Sequence, residues 1–222
     1  LKNIIKSKLF KNSEKFLLPN IIDLSKWKLK NNKKSNKKKI ELLFVATSSV
    51  NYRKGFGYLF DAINKYLDKN KYSLLVIGDK PKKFDELKIE KRFLPTINSE
   101  TKLIKTFKSS DIFVVPSIAE SFGQVFVEAG SIGLLSIAFD GTAVSEIICH
   151  KKNGYLAKFK SSKDLAKGIM WATKNANNNY TKKNNRKYVI NNFSAKKKIN
   201  EFIRLYKYSY VESKNYHNIN ND

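Results

Sequence analysis

Cysteine is almost absent from this 222-residue sequence. Cys149 stands alone, so no disulfide can close within the chain, and the interior of a cell is its expected home. Histidine is nearly as scarce. His150 and His217 are the only two, which leaves no His/Cys set for a metal, and there is no Asp-x-Asp run. No metal or resident cofactor is expected. Long hydrophobic runs are missing too. The longest candidate, Ala129 to Phe139, is broken by Gly and Ser and bracketed by Glu128 and Asp140, well short of the roughly 18 apolar residues of a spanning helix. No signal-peptide pattern opens the chain as given. Leu1 is not an initiator Met, which reads as a fragment or a processed piece. Acidic residues are few: 19 against 44 Lys and Arg, a net charge of +25. Such a balance suits nucleic acid, anionic lipid or phosphorylated ligands. Lys, Asn and Ile recur everywhere in the chain, however, as an AT-rich coding sequence would produce, so composition drift is the plainer reading.

What is present is a core. Apolar residues make up 41% of the chain and aromatics 13%, enough for one good-sized domain with extensions. Residues 1–39 are basic and poorly patterned, with a low-complexity stretch from Asn31 to Lys39, and read as an entry segment or linker. From Ile40 short apolar runs begin: 40–46, 73–78, a weak 92–94, 111–116, 134–139 and 154–157. Amphipathic helical patterns fall near 53–67, 99–109, 122–132, 142–149 and 162–176. The runs are nearly continuous instead of alternating, which marks strands buried on both faces. Strand and helix alternate at βαβ spacing, so residues 40–178 are expected to form an α/β, doubly wound parallel sheet, Rossmann-like, with any ligand at the carboxyl ends of the strands. Residues 179–209 read as two terminal helices, over 182–191 and 195–208, and 210–222 as a tail.

The segment from Pro116 to Ala129 carries the chemistry. Pro116 closes a buried strand. Ser121 and Gln124 stand at capping-box spacing, predicting a helix that starts at Phe122. The free amides of its first turn favour an anion, and Gly123 lets a ligand approach the backbone. Glu120 stands at the mouth of that site and Glu128 almost two turns into the helix, one carboxylate for each end of a diphosphate ligand. Taken singly, either glutamate reads as a cap or a solvated charge. Cys149 reads as a buried small hydrophobe and His150 as a loop residue near the sheet.

Glu120 and Glu128, with seven residues between them including Ser121-Phe122-Gly123, resemble the acidic signature of retaining, GT-B-fold glycosyltransferases of family four, the glycosyl transferases group 1. The strand Ser110 to Ser117 resembles the one leading into that signature. Arg53-Lys54-Gly55 resembles the Lys-Gly that opens the first helix of the C-terminal, donor-binding domain, Leu18 to Asp23 its entry, and Gly141 to Glu146 with Asn153 to Leu156 the loop and strand that follow. The likeness runs from about Pro19 to Tyr208. It implies that Lys54 binds the donor diphosphate with Arg53 assisting. Glu120 contacts the transferred sugar, helped by the amides near Phe122 and Gly123, and Glu128 holds the ribose. Phe93, Leu94 and Pro95 lie against the base, and Ser121 and Gln124 complete the donor site. Glu120 and Lys54 are the residues placed nearest the chemistry. The donor implied is a UDP- or GDP-type sugar. The acceptor implied is a glycan or lipid-linked chain, as in exopolysaccharide or lipopolysaccharide synthesis. Where relatives carry Gly-Arg after the first strand, this chain has Ala46-Thr47. The acceptor site and a catalytic His belong to an N-terminal domain that the residues before Pro19 are too few to form, so the chain is expected to bind donor and turn over little alone.

Two other readings compete. A nucleic-acid-binding module would use the +25 charge, but it lacks aromatics within the basic runs and leaves the two glutamates unexplained. A membrane-surface adaptor would use Lys26 to Lys39, and is compatible with a cytoplasmic enzyme held at the inner face of a membrane.

Overall fold

The structure, a computed structural model, describes residues 20–29, 38–46 and 52–219, with only the backbone given for 211–219. Leu18, Pro19, the run 31–37 and Thr47 fall outside the described residues.

Six strands form one parallel sheet: β1 (Ile40–Ala46), β2 (Tyr72–Gly78), β3 (Glu90–Leu94), β4 (Ile112–Val114), β5 (Leu135–Phe139) and β6 (Gly154–Ala157), in the order β3-β2-β1-β4-β5-β6. β2, β4 and β5 are buried along their whole length, which is why they read as unbroken apolar runs. β3 is an edge strand with mixed exposure, which accounts for its weak signal. β1 pairs with β2 on one side (Leu42 opposite Leu74) and with β4 on the other (Leu42 opposite Ile112). The chain therefore winds outward in both directions from the β1–β4 junction, the point at whose carboxyl ends sheets of this topology place a ligand crevice.

The helices are α1 (Phe56–Tyr66), α2 (Glu100–Ser109), α3 (Gln124–Ser131), α4 (Ser162–Asn175), α5 (Asn179–Phe193) and α6 (Ala195–Ile219). α1 buries Phe56, Leu59, Ala62 and Ile63, one stripe at helical spacing, and packs against α4, whose buried stripe is Leu165, Ala166, Ile169 and Ala172. α2, α4 and α5 each start on a side chain that accepts a backbone N–H: Ser99 from Lys102, Ser161 from Asp164, and Asn178 from Tyr180 and Thr181. Edge-on ring pairs, Trp27 with Phe107 and Phe113 with Phe126, pack the entry segment and the helices into the core.

Two features depart from the sequence reading. The segment read as an entry linker contributes to the core, since Leu24 and Trp27 are buried. Arg186 of α5 explains how: its guanidinium donates to the carbonyls of both Trp27 and Ser131, tying the segment to the end of α3. Residues 210–219, read as a tail, continue α6. From Ala195 to Ile219 the chain has no Gly or Pro, so nothing in it breaks the helix. Among the described residues, no helix is long and apolar enough to cross a membrane.

Candidate active site at the β1–β4 crevice

Arg53 and Lys54 sit in a short 3-10 turn, Tyr52–Lys54, that follows β1 and leads into α1. Gly55 caps α1 in the left-handed region, with φ 74°. A Cβ there would stand 1.9 Å from the Pro116 carbonyl oxygen, so only glycine lets the turn after β1 meet the loop after β4. The seam is closed by the Ile118 amide, which donates to the Arg53 carbonyl at 2.8 Å. Lys54 and Glu120 face each other across it. Lys54 Nζ donates to Glu120 Oε2 at 2.9 Å, with the two side chains 27% and 14% exposed. The buried Ser117 Oγ donates to the same oxygen at 3.2 Å. Glu120 Oε1 receives no hydrogen bond from the described residues.

α3 starts two residues later than its capping pattern predicts. Its N-cap is Gly123 at φ 93°, without a side-chain cap. Ser121 is exposed and does not cap. Phe122 turns instead onto Phe193, ring centroids 5.8 Å apart, which holds the chain off the helical path until Gly123. The Phe126 amide closes the first turn on the Gly123 carbonyl, so the amides of Gln124 and Val125 head the helix, one to two residues beyond the expected ones. A Cβ on Gly123 would meet Phe126 at 3.0 Å and Val144 at 3.1 Å, so a side chain at this left-handed position would be both strained and crowded.

Glu128 is buried at 7% exposure, not on a solvated face. Gln124 Nε2 donates to Glu128 Oε1 at 2.8 Å, one helical turn back, so the Gln read as half of a capping box reaches along the helix instead. No cation pairs with Glu128 among the described residues. Burial raises its pKa above the usual carboxylate value, the Gln124 bond opposes that rise, and the charge of Glu100 adds to it.

At the end of β3, Leu94 lines an open cavity of about 220 Å³ with Pro95, Thr96, Ile97, Asn98 and Ser99. Phe93 is turned against Phe84, 6.2 Å between centroids, and does not line it. β3 is two strands from β1, about 10 Å at ordinary strand spacing. Cys149 is half-buried and lines a separate cavity of about 450 Å³ with Lys151, Lys152, Tyr180 and Tyr188, between the turn before β6 and α5. His150 accepts the Leu156 amide at 3.2 Å and lies on Tyr155. Among the described residues no three His, Cys, Asp or Glu gather as a metal set. Ser117 escaped the sequence reading. Its one signal is a short polar side chain three residues before Glu120, in the turn that leaves a buried strand.

Residues 25–192, three quarters of the chain, match the model of the family described as glycosyl transferases group 1. The chain belongs to this family. Among curated relatives, an uncharacterized 41.2 kDa protein in the cps region of Klebsiella pneumoniae is 31% identical over 179 residues, 80% of this chain and 49% of that protein. This family member thus spans about half the length of such a relative. Its fold resembles sucrose-phosphate synthase from Thermosynechococcus elongatus, with a TM-score of 0.79 and 19% identity over 95% of this chain and 56% of that one. It also resembles the C-terminal domain of a glycosyl transferase group 1 family protein from Francisella tularensis, with a TM-score of 0.59 and 20% identity over 78% of this chain and 98% of that domain.

Proposed function

We propose that the crevice binds a nucleoside diphosphate sugar of UDP or GDP type, and that the chain is the donor half of a retaining, metal-independent glycosyltransferase. The observation that carries this is the Lys54–Glu120 pair at the point where the strand order reverses, beside the uncapped amides of Gln124 and Val125. Cation and amides suit the diphosphate, and the spare oxygen of Glu120 suits a sugar hydroxyl. Glu128 with its Gln124 partner suits the ribose, and the cavity beside Leu94 the base. The leaving diphosphate of an oxocarbenium-like transition state would be stabilised by Lys54 and the amides, which supply the charge that a metal supplies elsewhere. The acceptor, a glycan or lipid-linked chain, and a catalytic His would come from an N-terminal half. That half, with a membrane surface, completes the set of partners. The resemblance to this family and the setting of the cps-region relative favour polysaccharide or lipopolysaccharide assembly.

The test is a titration of the folded chain with UDP, GDP and their glucose conjugates, followed by amide NMR. The largest shifts are expected at residues 53–55 and 120–126. Shifts centred elsewhere, or none, overturn the reading. Specific donor binding should also survive moderate salt, whereas polyanion binding weakens steeply with it.

A further inference from the structure

We infer that Ser117 is a positioning residue for Glu120, and that it holds this carboxylate in place once the donor's diphosphate draws Lys54 away. The inference rests on the donor-site reading above. Lys54 Nζ and Ser117 Oγ converge on one oxygen, Glu120 Oε2, at 2.9 and 3.2 Å, and leave Oε1 without a hydrogen bond from the described residues. The two donors differ in permanence. The ammonium ends a flexible four-carbon stem, and a diphosphate brings more negative charge to it than one carboxylate does. Lys54 therefore turns toward the ligand as the ligand arrives, and Glu120 loses its ionic partner.

Ser117 cannot follow. It is 2% exposed. Its amide donates to the Val115 carbonyl at 2.9 Å, and its neighbours are pinned: the Pro116 carbonyl against Gly55, the Ile118 amide on the Arg53 carbonyl. Its hydroxyl makes no other hydrogen bond among the described residues. A neutral donor on a fixed loop thus keeps Oε2 anchored and Oε1 facing the crevice, where a sugar hydroxyl needs an acceptor. Ser117 does not touch the donor. It acts through Glu120 alone.

This separates two quantities that calorimetry reads on the 222-residue chain: affinity for bare UDP (or GDP), and the added affinity of its glucose conjugate. Ser117→Ala should leave the first within about twofold and reduce the second by about three- to tenfold, a part of the worth of one hydrogen bond to a carboxylate, since the effect reaches the sugar only through Glu120. Ser117→Cys, a weak donor of similar size, should fall between. In a Glu120→Gln background, Ser117→Ala should change the sugar increment no further, since its effect passes through that carboxylate. If Ser117→Ala lowers both affinities together with the melting temperature, Ser117 merely packs the loop, and the inference falls while the donor site stands. An undiminished increment in Ser117→Ala overturns it equally. A chain that binds neither UDP nor GDP removes the donor reading and this inference with it.

Discussion

Gln124 and Glu128 form a side-chain pair on the first turns of α3, Nε2 to Oε1 at 2.8 Å, with the carboxylate buried and no cation beside it among the described residues. A glutamate so placed opposes folding. Its pKa is raised in the folded state, so as pH climbs through the ordinary carboxylate range the unfolded chain ionises first and gains stability relative to the folded one. The cost is absent well below pH 4.5, grows above it, and levels off once pH exceeds the folded value. Glu128→Gln keeps the Gln124 bond and removes the charge. It should therefore unfold at higher temperature than the parent near pH 7, with the difference vanishing at low pH. The same variant should bind nucleoside diphosphate, with or without sugar, about ten- to a hundredfold more weakly, since a charged hydrogen bond to the ribose is worth roughly 1.5–3 kcal/mol. A variant both less stable and unchanged in binding would contradict both halves.

The seam between the two loops depends on Gly55. Gly55→Ala places a methyl 1.9 Å from the Pro116 carbonyl oxygen at a φ of 74°, so strain and clash act together. A loss of about 2–4 kcal/mol in denaturant unfolding is expected. Nucleotide binding should fall as well, because Lys54 follows the turn that the clash displaces. Gly57, where a Cβ meets nothing within 4 Å, is the control: Gly57→Ala should leave stability unchanged or raise it.

Arg186 offers a test of the entry segment. Its guanidinium serves the carbonyls of Trp27 and Ser131 together. Arg186→Met preserves length and leaves both oxygens without that donor, so a loss of about 1–3 kcal/mol is expected. Fluorescence should show Trp27 losing its packing on Phe107 before the sheet melts.

These residues also show how far the sequence could be read. The strands are legible because burial on both faces removes polar residues from Leu42 to Ala46, Leu74 to Ile77 and Ile137 to Phe139. The place of Lys54 and Glu120 followed from strand order and motif. Their mutual pairing did not, because an ion pair 66 residues apart leaves no periodic trace. The start of α3 departs from its pattern because Ser121 and Gln124 satisfy a local rule that the Phe122–Phe193 contact overrides. Trp27 looked like part of a basic linker, since its partners Phe107 and Arg186 lie far along the chain.

The proposed metal independence rests on Lys54 supplying charge where a divalent ion would otherwise sit. Donor affinity should then be the same with a chelator as with added Mg²⁺. An affinity that collapses with chelator would mean that the ligand brings its own cation and that Lys54 is secondary.

Lys54 and Glu120 finally make opposite demands on one ligand. Lys54→Met should weaken bare nucleoside diphosphate by about ten- to a hundredfold, the range of a lost charged hydrogen bond, and should flatten the salt dependence of binding. Glu120→Gln should do the reverse for that ligand. With the carboxylate gone, the ammonium no longer leaves a partner to meet the diphosphate. The pair is partly exposed, so its worth is about 1 kcal/mol or less, and affinity should rise no more than a few fold. The sugar conjugate should gain nothing, because the oxygen that would accept its hydroxyl has become part of a neutral amide. The signature is thus a ratio: Glu120→Gln should bring the affinities of conjugate and bare diphosphate together, while Lys54→Met lowers both and preserves their ratio. If the two variants change both ligands in parallel, the ion pair is a structural clasp between loops, and the sugar must be held by other groups.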